Sequence, residues 1–202
     1  MIGNNCEDVH IDNVEINNGS GVELSGTGWK NVSIVNLHSS GLSNYPALQL
    51  GYDSLTAEDQ AFHAESIKLD NWMIKQTANT KNIINIQTQA TWDSMQIDNF
   101  QYLGGTSTWL IKAIGTARRR IQAGNMSCVG GGGIFSGPFD VVVDSLRVHD
   151  QYYLAEAGAD VVARDFRVTG TSKALLETKA VFSTPPQVKH MLIDYTDFSA
   201  IA

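Results

Sequence analysis

Val9-His10-Ile11-Asp12-Asn13-Val14-Glu15-Ile16 is the stretch from which the fold can be read, because its pattern returns along the whole chain. With Ile11 as anchor, the equivalents are Ile34, Leu69, Ile97, Ala123, Val143, Ala163 and Ile193, at intervals of 23, 35, 28, 26, 20, 20 and 30 residues. The intervals vary while the local pattern persists. Two residues before the anchors stand Val9, Val32, Ile67, Met95, Ile121, Val141, Val161 and Met191, all apolar. Alternation of this kind means a strand with one face turned inward.

Beyond the anchor the period of two breaks. The apolar columns resume three and five residues later, at Val14, Leu37, Trp72, Phe100, Met126, Leu146, Phe166 and Thr196, and at Ile16, Ser39, Ile74, Tyr102, Cys128, Val148, Val168 and Phe198. The chain must therefore bend and begin a second short strand. At the bend sit Asn13, Asn36, Asn71, Asn99 and Asn125, then Ser145, Asp165 and Tyr195. Asn tolerates a left-handed backbone, bonds local backbone, and can stack in amide ladders. A further strand follows in each repeat, at Val22-Glu23-Leu24, Leu48-Gln49-Leu50, Ile84-Asn85-Ile86, Leu110-Ile111, Ile134-Phe135, Leu154-Ala155 and Leu175-Leu176.

Three short strands per repeat, with length variation confined to the turns, exclude leucine-rich and helical repeats, whose periods are regular. The pattern resembles the right-handed parallel β-helix of the pectin-lyase-like superfamily, and the bend asparagines are similar to that family's asparagine ladder. The resemblance spans essentially residues 6 to 200. It implies an all-β, single-stranded right-handed parallel β-helix of about eight coils, one domain over residues 1–202, with 51–66 as a long inserted loop. The chain is then either a short natural protein or a piece of a longer β-helix.

A chain of 202 residues with 43% hydrophobic content can bury a substantial core. Its net charge of -7 argues against nucleic acid as a partner. The one basic run, Arg118-Arg119-Arg120, reads as a solvated or interface turn. Gly130-Gly131-Gly132-Gly133 lacks the Lys-Ser of a phosphate loop and reads as a tight turn. Cys6 and Cys128 fall too far apart to pair, and Cys128 reads as a small core residue. No run of 18 apolar residues and no basic-then-apolar N-terminus occurs, so neither a membrane span nor a signal peptide is expected.

Loops on a rigid solenoid commonly carry function, which singles out Asp53, Glu58 and Asp59 in the inserted loop. Glu156 and Glu177, expected on neighbouring coils, form a second carboxyl pair. A glycosidase needs two carboxyl groups about 5 to 9 Å apart. Asp12, Asp70, Asp98, Asp144 and Asp194 recur beside the bend and read as turn formers. Trp29 and Trp92, each five residues before its anchor, would present indoles in one column for saccharide stacking, with Tyr52 as a third substrate-binding candidate. The histidines show no metal-ligand spacing, so no metal or other cofactor is expected. Just before the anchors the outward column changes from His10, Ser33, Lys68, Gln96 and Gln122 to Val142, Val162 and Leu192, an apolar stripe that a monomer should avoid exposing.

Within the superfamily the irregular coils and the stripe are similar to bacteriophage tailspikes and related virion fibres. That resemblance implies a homotrimer located in the virion tail beside other tail proteins, acting at the bacterial surface as a structural and receptor-binding module for surface polysaccharide. The alternative is a polysaccharide depolymerase, a glycoside hydrolase or lyase, using the carboxylates named above.

Overall fold

The structure, a computed structural model, describes residues 5–19, 21–42, 45–52, 61–76, 82–104, 109–130, 132–150, 153–156, 158–170, 187–188 and 191–196. In chain order the strands are β1 (Asp8–Gly19), β2 (Val22–Leu24), β3 (Gly26–Leu42), β4 (Leu48–Leu50), β5 (Phe62–Gln76), β6 (Ile84–Ile86), β7 (Ala90–Leu103) and β8 (Trp109–Ala113). They continue with β9 (Arg119–Val129), β10 (Gly133–Ser136), β11 (Phe139–His149), β12 (Tyr153–Glu156), β13 (Asp160–Gly170), β14 (Gln187–Val188) and β15 (Met191–Thr196).

The fold is all-β and built of parallel sheets. A nine-stranded sheet runs β1-β3-β5-β7-β9-β11-β13-β14, with β15 also on β13, and a six-stranded sheet runs β2-β4-β6-β8-β10-β12. From β1 to β13 the chain visits the two sheets alternately and returns each time beside the strand it laid down one repeat earlier. The short strands coincide with six of the seven read from the sequence; Leu175-Leu176 lies outside the described residues. Residues 62–66, expected at the end of the inserted loop, belong to β5. There the alternation extends upstream, with Phe62 and Ala64 buried beneath an outward-facing His63.

Register follows the anchor column. Ile11, Ile34, Leu69, Ile97, Ala123, Val143 and Ala163 are successive partners, and the columns three and five residues on are aligned in the same way from β1 to β13. These columns form the core. Tilted aromatic pairs run up it, Trp29 with Phe62 at 6.0 Å and Trp72 with Phe100 at 5.9 Å. A buried indole needs a partner for its N–H, and Trp72 Nε1 finds one in the Ile34 carbonyl at 2.9 Å.

The bend is made as the residues suggest, up to a point. Asn13, Asn36, Asn71 and Asn99 have φ between 49 and 56°. Their amides bond between repeats, Asn71 Nδ2 to Asn36 Oδ1 at 2.6 Å, Asn36 Nδ2 to Asp12 Oδ1 at 2.8 Å and Asn99 Nδ2 to Asp70 Oδ1 at 3.0 Å. The column thus mixes asparagine with the aspartates beside it. Asn125, Ser145 and Asp165 are not left-handed, and in β9, β11 and β13 the unpaired bend position moves one residue earlier, to Gly124, Asp144 and Arg164. A second corner, after the short strands, is turned by left-handed Gly51, Gly115, Gly137 and Gly158.

The final repeat departs from the expected register. Ala163 pairs with Val188, while Leu192 and Ile193 pair with Arg167 and Val168. Leu192 therefore does not continue the column of Val142 and Val162, both only half-buried, and the expected stripe ends with those two valines among the described residues.

Two smaller expectations are also corrected. Arg119 is not in a solvated turn but buried, because alternation turns it inward opposite Phe139. Gly133 lies in β10 rather than in a turn, where a Cβ would collide with the ring of its register partner Trp109. Cys6 and Cys128 are both unpaired, and burial pushes the Cys128 thiol up to about 12.

Candidate ligand-binding surface

Among the described residues, the outward surface of the long strands beyond the bend carries ordered columns of side chains. Strict alternation puts Glu15, His38, Met73, Gln101, Ser127, Arg147 and Arg167 in one column, each beside its neighbour in register. At about 4.8 Å per strand the column runs for roughly 29 Å. Two residues on, a second column holds Lys75, Leu103, Val129, His149 and Thr169.

Three shallow hollows open on this surface. One of about 270 Å³ lies over the bend, among Asn13, Glu15, Asn36, His38 and Asn71. The next, about 340 Å³, continues from Glu15 and His38 to Met73, Lys75 and Leu103. The third, about 210 Å³, is bordered by Ser127, Val129, Arg147, His149, Arg167 and Thr169. Between the acidic and basic ends Met73, Leu103 and Val129 are 42, 46 and 37% exposed. Apolar faces interleaved with polar and charged side chains suit a ligand that carries both C–H surfaces and polar groups.

The aspartates beside the bend do structural work. Asp70 receives Asn99 Nδ2 and stands 3.3 Å from Lys68 Nζ. These contacts, the Asn99 bond foremost, hold its carboxyl below the ordinary range. A general acid needs the opposite shift. Asp144 pairs with Arg164, and Asp98 accepts from Gln96 Nε2 at 2.7 Å. On the surface outside the bend, Arg118 bridges Asp140 and Asp160, which raise its pKa, Asp140 first.

Trp29 and Trp92 occupy one column two repeats apart, aligned through Ala64. They are nevertheless core residues, 0 and 8% exposed, and offer no ring to a sugar. A break in alternation at Lys30-Asn31 and at Asp93-Ser94, where two consecutive side chains face out, turns the chain and points both indoles inward. Trp92 Nε1 donates to the Arg120 carbonyl at 2.8 Å. Tyr52 is 45% exposed beside left-handed Gly51. Glu156 ends β12, in register with Ser136. Asp53, Glu58, Asp59 and Glu177 lie outside the described residues.

Among the described residues no group of three or more His, Cys, Asp or Glu side chains could hold a metal ion, and no helix is long and apolar enough to cross a membrane. The Arg147 and Arg167 column was missed in the sequence reading, although the same anchor spacing marks it four residues after Val143 and Ala163. Compared with protein-family models, with curated proteins and with solved structures, the chain matches none.

Proposed function

We propose that the two sheets are the walls of a right-handed parallel β-helix of about eight coils with a mixed asparagine and aspartate ladder, and that it is a virion-associated module binding bacterial surface polysaccharide. Right-handedness follows from the general hand of parallel crossover connections. The observation that carries the functional reading is the outward face of the long strands. It is a rigid, hydrogen-bonded surface roughly 29 Å long, with shallow hollows and alternating apolar and polar side chains. An extended polymer with apolar ring faces and many hydroxyls fits such a surface better than a compact ligand, which needs a deep pocket.

A trimeric state and association with other tail proteins belong to the same proposal and rest on the resemblance to tailspikes. Half-buried Val142 and Val162 supply apolar surface that assembly would cover. The depolymerase alternative rests on Asp53, Glu58, Asp59, Glu156 and Glu177.

Light scattering of the chain alone and with purified capsular polysaccharide or lipopolysaccharide reads both parts of the proposal. The expected result is a mass of three chains that rises further with the polymer. A monomer whose mass is unchanged by every polymer would overturn it.

A further inference from the structure

Arg147 and Arg167 are register partners on adjacent parallel strands, side by side on the outward surface. Strand spacing sets their backbones about 4.8 Å apart, and like charges so placed oppose the pairing of their strands. Neither has a carboxylate partner among the described residues, whereas Lys30, Lys68, Arg118 and Arg164 are all paired. Of the carboxylates nearby, Asp144 pairs with Arg164, and Asp150 stands 3.1 Å from His149 at the border of the hollow between the arginines. On a chain of net charge -7, two adjacent cations with no ion-pair partner among the described residues are a local reversal.

The hollow around them holds about 210 Å³ and is also bordered by Ser127, His149 and Thr169. His149 Nδ1 lies 2.9 Å from Thr169 Oγ1, which ties the imidazole to the next strand. Guanidinium forks hold carboxylate, sulfate and phosphate oxygens bidentately. One anion between the two forks would replace their repulsion with two attractions.

We propose that this hollow is an anion-binding site formed by Arg147 and Arg167, which takes the carboxylate, sulfate or phosphate substituents of an acidic polysaccharide. The identity of the ligand rests on the polysaccharide reading above; the anion site itself does not. Because the two arginines repel each other, replacing both should leave the fold at least as stable, and an unchanged thermal unfolding midpoint in that variant separates loss of binding from loss of folding.

Two measurements on the full chain separate the claims. The first compares binding of polygalacturonate, dextran sulfate and neutral dextran to the wild type, to Arg147→Gln/Arg167→Gln, and to Lys112→Gln/Arg120→Gln, which removes the same charge elsewhere. The acidic polymers should bind in preference to dextran, roughly tenfold more weakly to the first variant and nearly unchanged to the second; which of the two acidic polymers binds more tightly distinguishes carboxylate from sulfate recognition. The second is an NMR titration with inorganic phosphate, which should shift the Nε–Hε signals of Arg147 and Arg167 but not those of Arg120 and Arg164. Phosphate shifts confined to the pair, with no polymer bound, would uphold the site and overturn the polysaccharide reading. Equal binding of neutral and acidic polymers, unchanged in Arg147→Gln/Arg167→Gln and with no selective phosphate shift, would overturn the site and leave that reading standing.

Discussion

Arg119 shows how a single side chain can hold a corner with no counter-ion among the described residues. It is 3% exposed, and its guanidinium donates to the carbonyls of Ala90 at 2.7 Å, Ala117 at 2.8 Å, Thr88 at 3.1 Å, Gln87 at 3.2 Å and Ile114 at 3.4 Å. Burial lowers its pKa, yet five acceptors and the planar fork keep it where a lysine could not reach them all. Arg119→Met should cost at least about 3 kcal/mol in urea unfolding, because it leaves several buried carbonyls unpaired at roughly 1–3 kcal/mol each. A loss under about 1 kcal/mol, that of an ordinary net hydrogen bond, would show that water replaces the guanidinium there. Asp70 gives the acid side of the same scale. Its carboxyl is held below the unfolded value of 3.8, so its contribution is fully present above that pH and is lost as pH falls through the lower folded value. Asp70→Asn keeps an acceptor for Asn99 but removes the titration. The variant's stability, measured by thermal unfolding from pH 6 down, should decline less steeply below about pH 4 than the wild type's; parallel curves would contradict the assignment.

At the scale of the strand and its corners, much was legible, and the failure of register has a single cause. The inward columns at the anchor and two residues before it, and those three and five residues after it, each read apolar-x-apolar. Val14 and Ile16 therefore look like Val9 and Ile11 when no neighbour fixes which side of the bend they occupy. That ambiguity explains the last repeat, where Met191 and Ile193 pair with Phe166 and Val168 rather than with the earlier anchors. A period of two cannot by itself choose the register. The corner glycines were not read at all, since a lone glycine carries no periodic signal. Gly137 is the sharpest test of them. Its φ is 127°, and a Cβ there would stand 2.7 Å from the Ala113 carbonyl oxygen. Gly137→Ala should cost at least the roughly 1–3 kcal/mol of a residue held in such a backbone region. Gly19→Ala, whose nearest neighbour is Ile16 Cγ2 at 3.9 Å, should be close to neutral. Equal midpoints of thermal unfolding for the two variants would remove the argument for a glycine-made corner.

For the whole molecule, the alternation of the chain between two parallel sheets makes an outward face whose side chains are fixed in order by register. Reading that face from the sequence required following a column four residues after each anchor, beyond the bend, and the candidates chosen instead belong to other columns or to the inserted loop. Two of those, Trp29 and Trp92, proved to be core because the chain turns a corner just before each anchor strand. The most direct test of a polysaccharide-binding face is an amide NMR map of the full chain titrated with the polymer it binds. Shifts are expected at residues 73–75, 101–103, 127–129, 147–149 and 167–169, with the short strands β4, β6, β8 and β10 unaffected. Shifts centred on those short strands, or no localised shifts in the presence of saturating polymer, would contradict it.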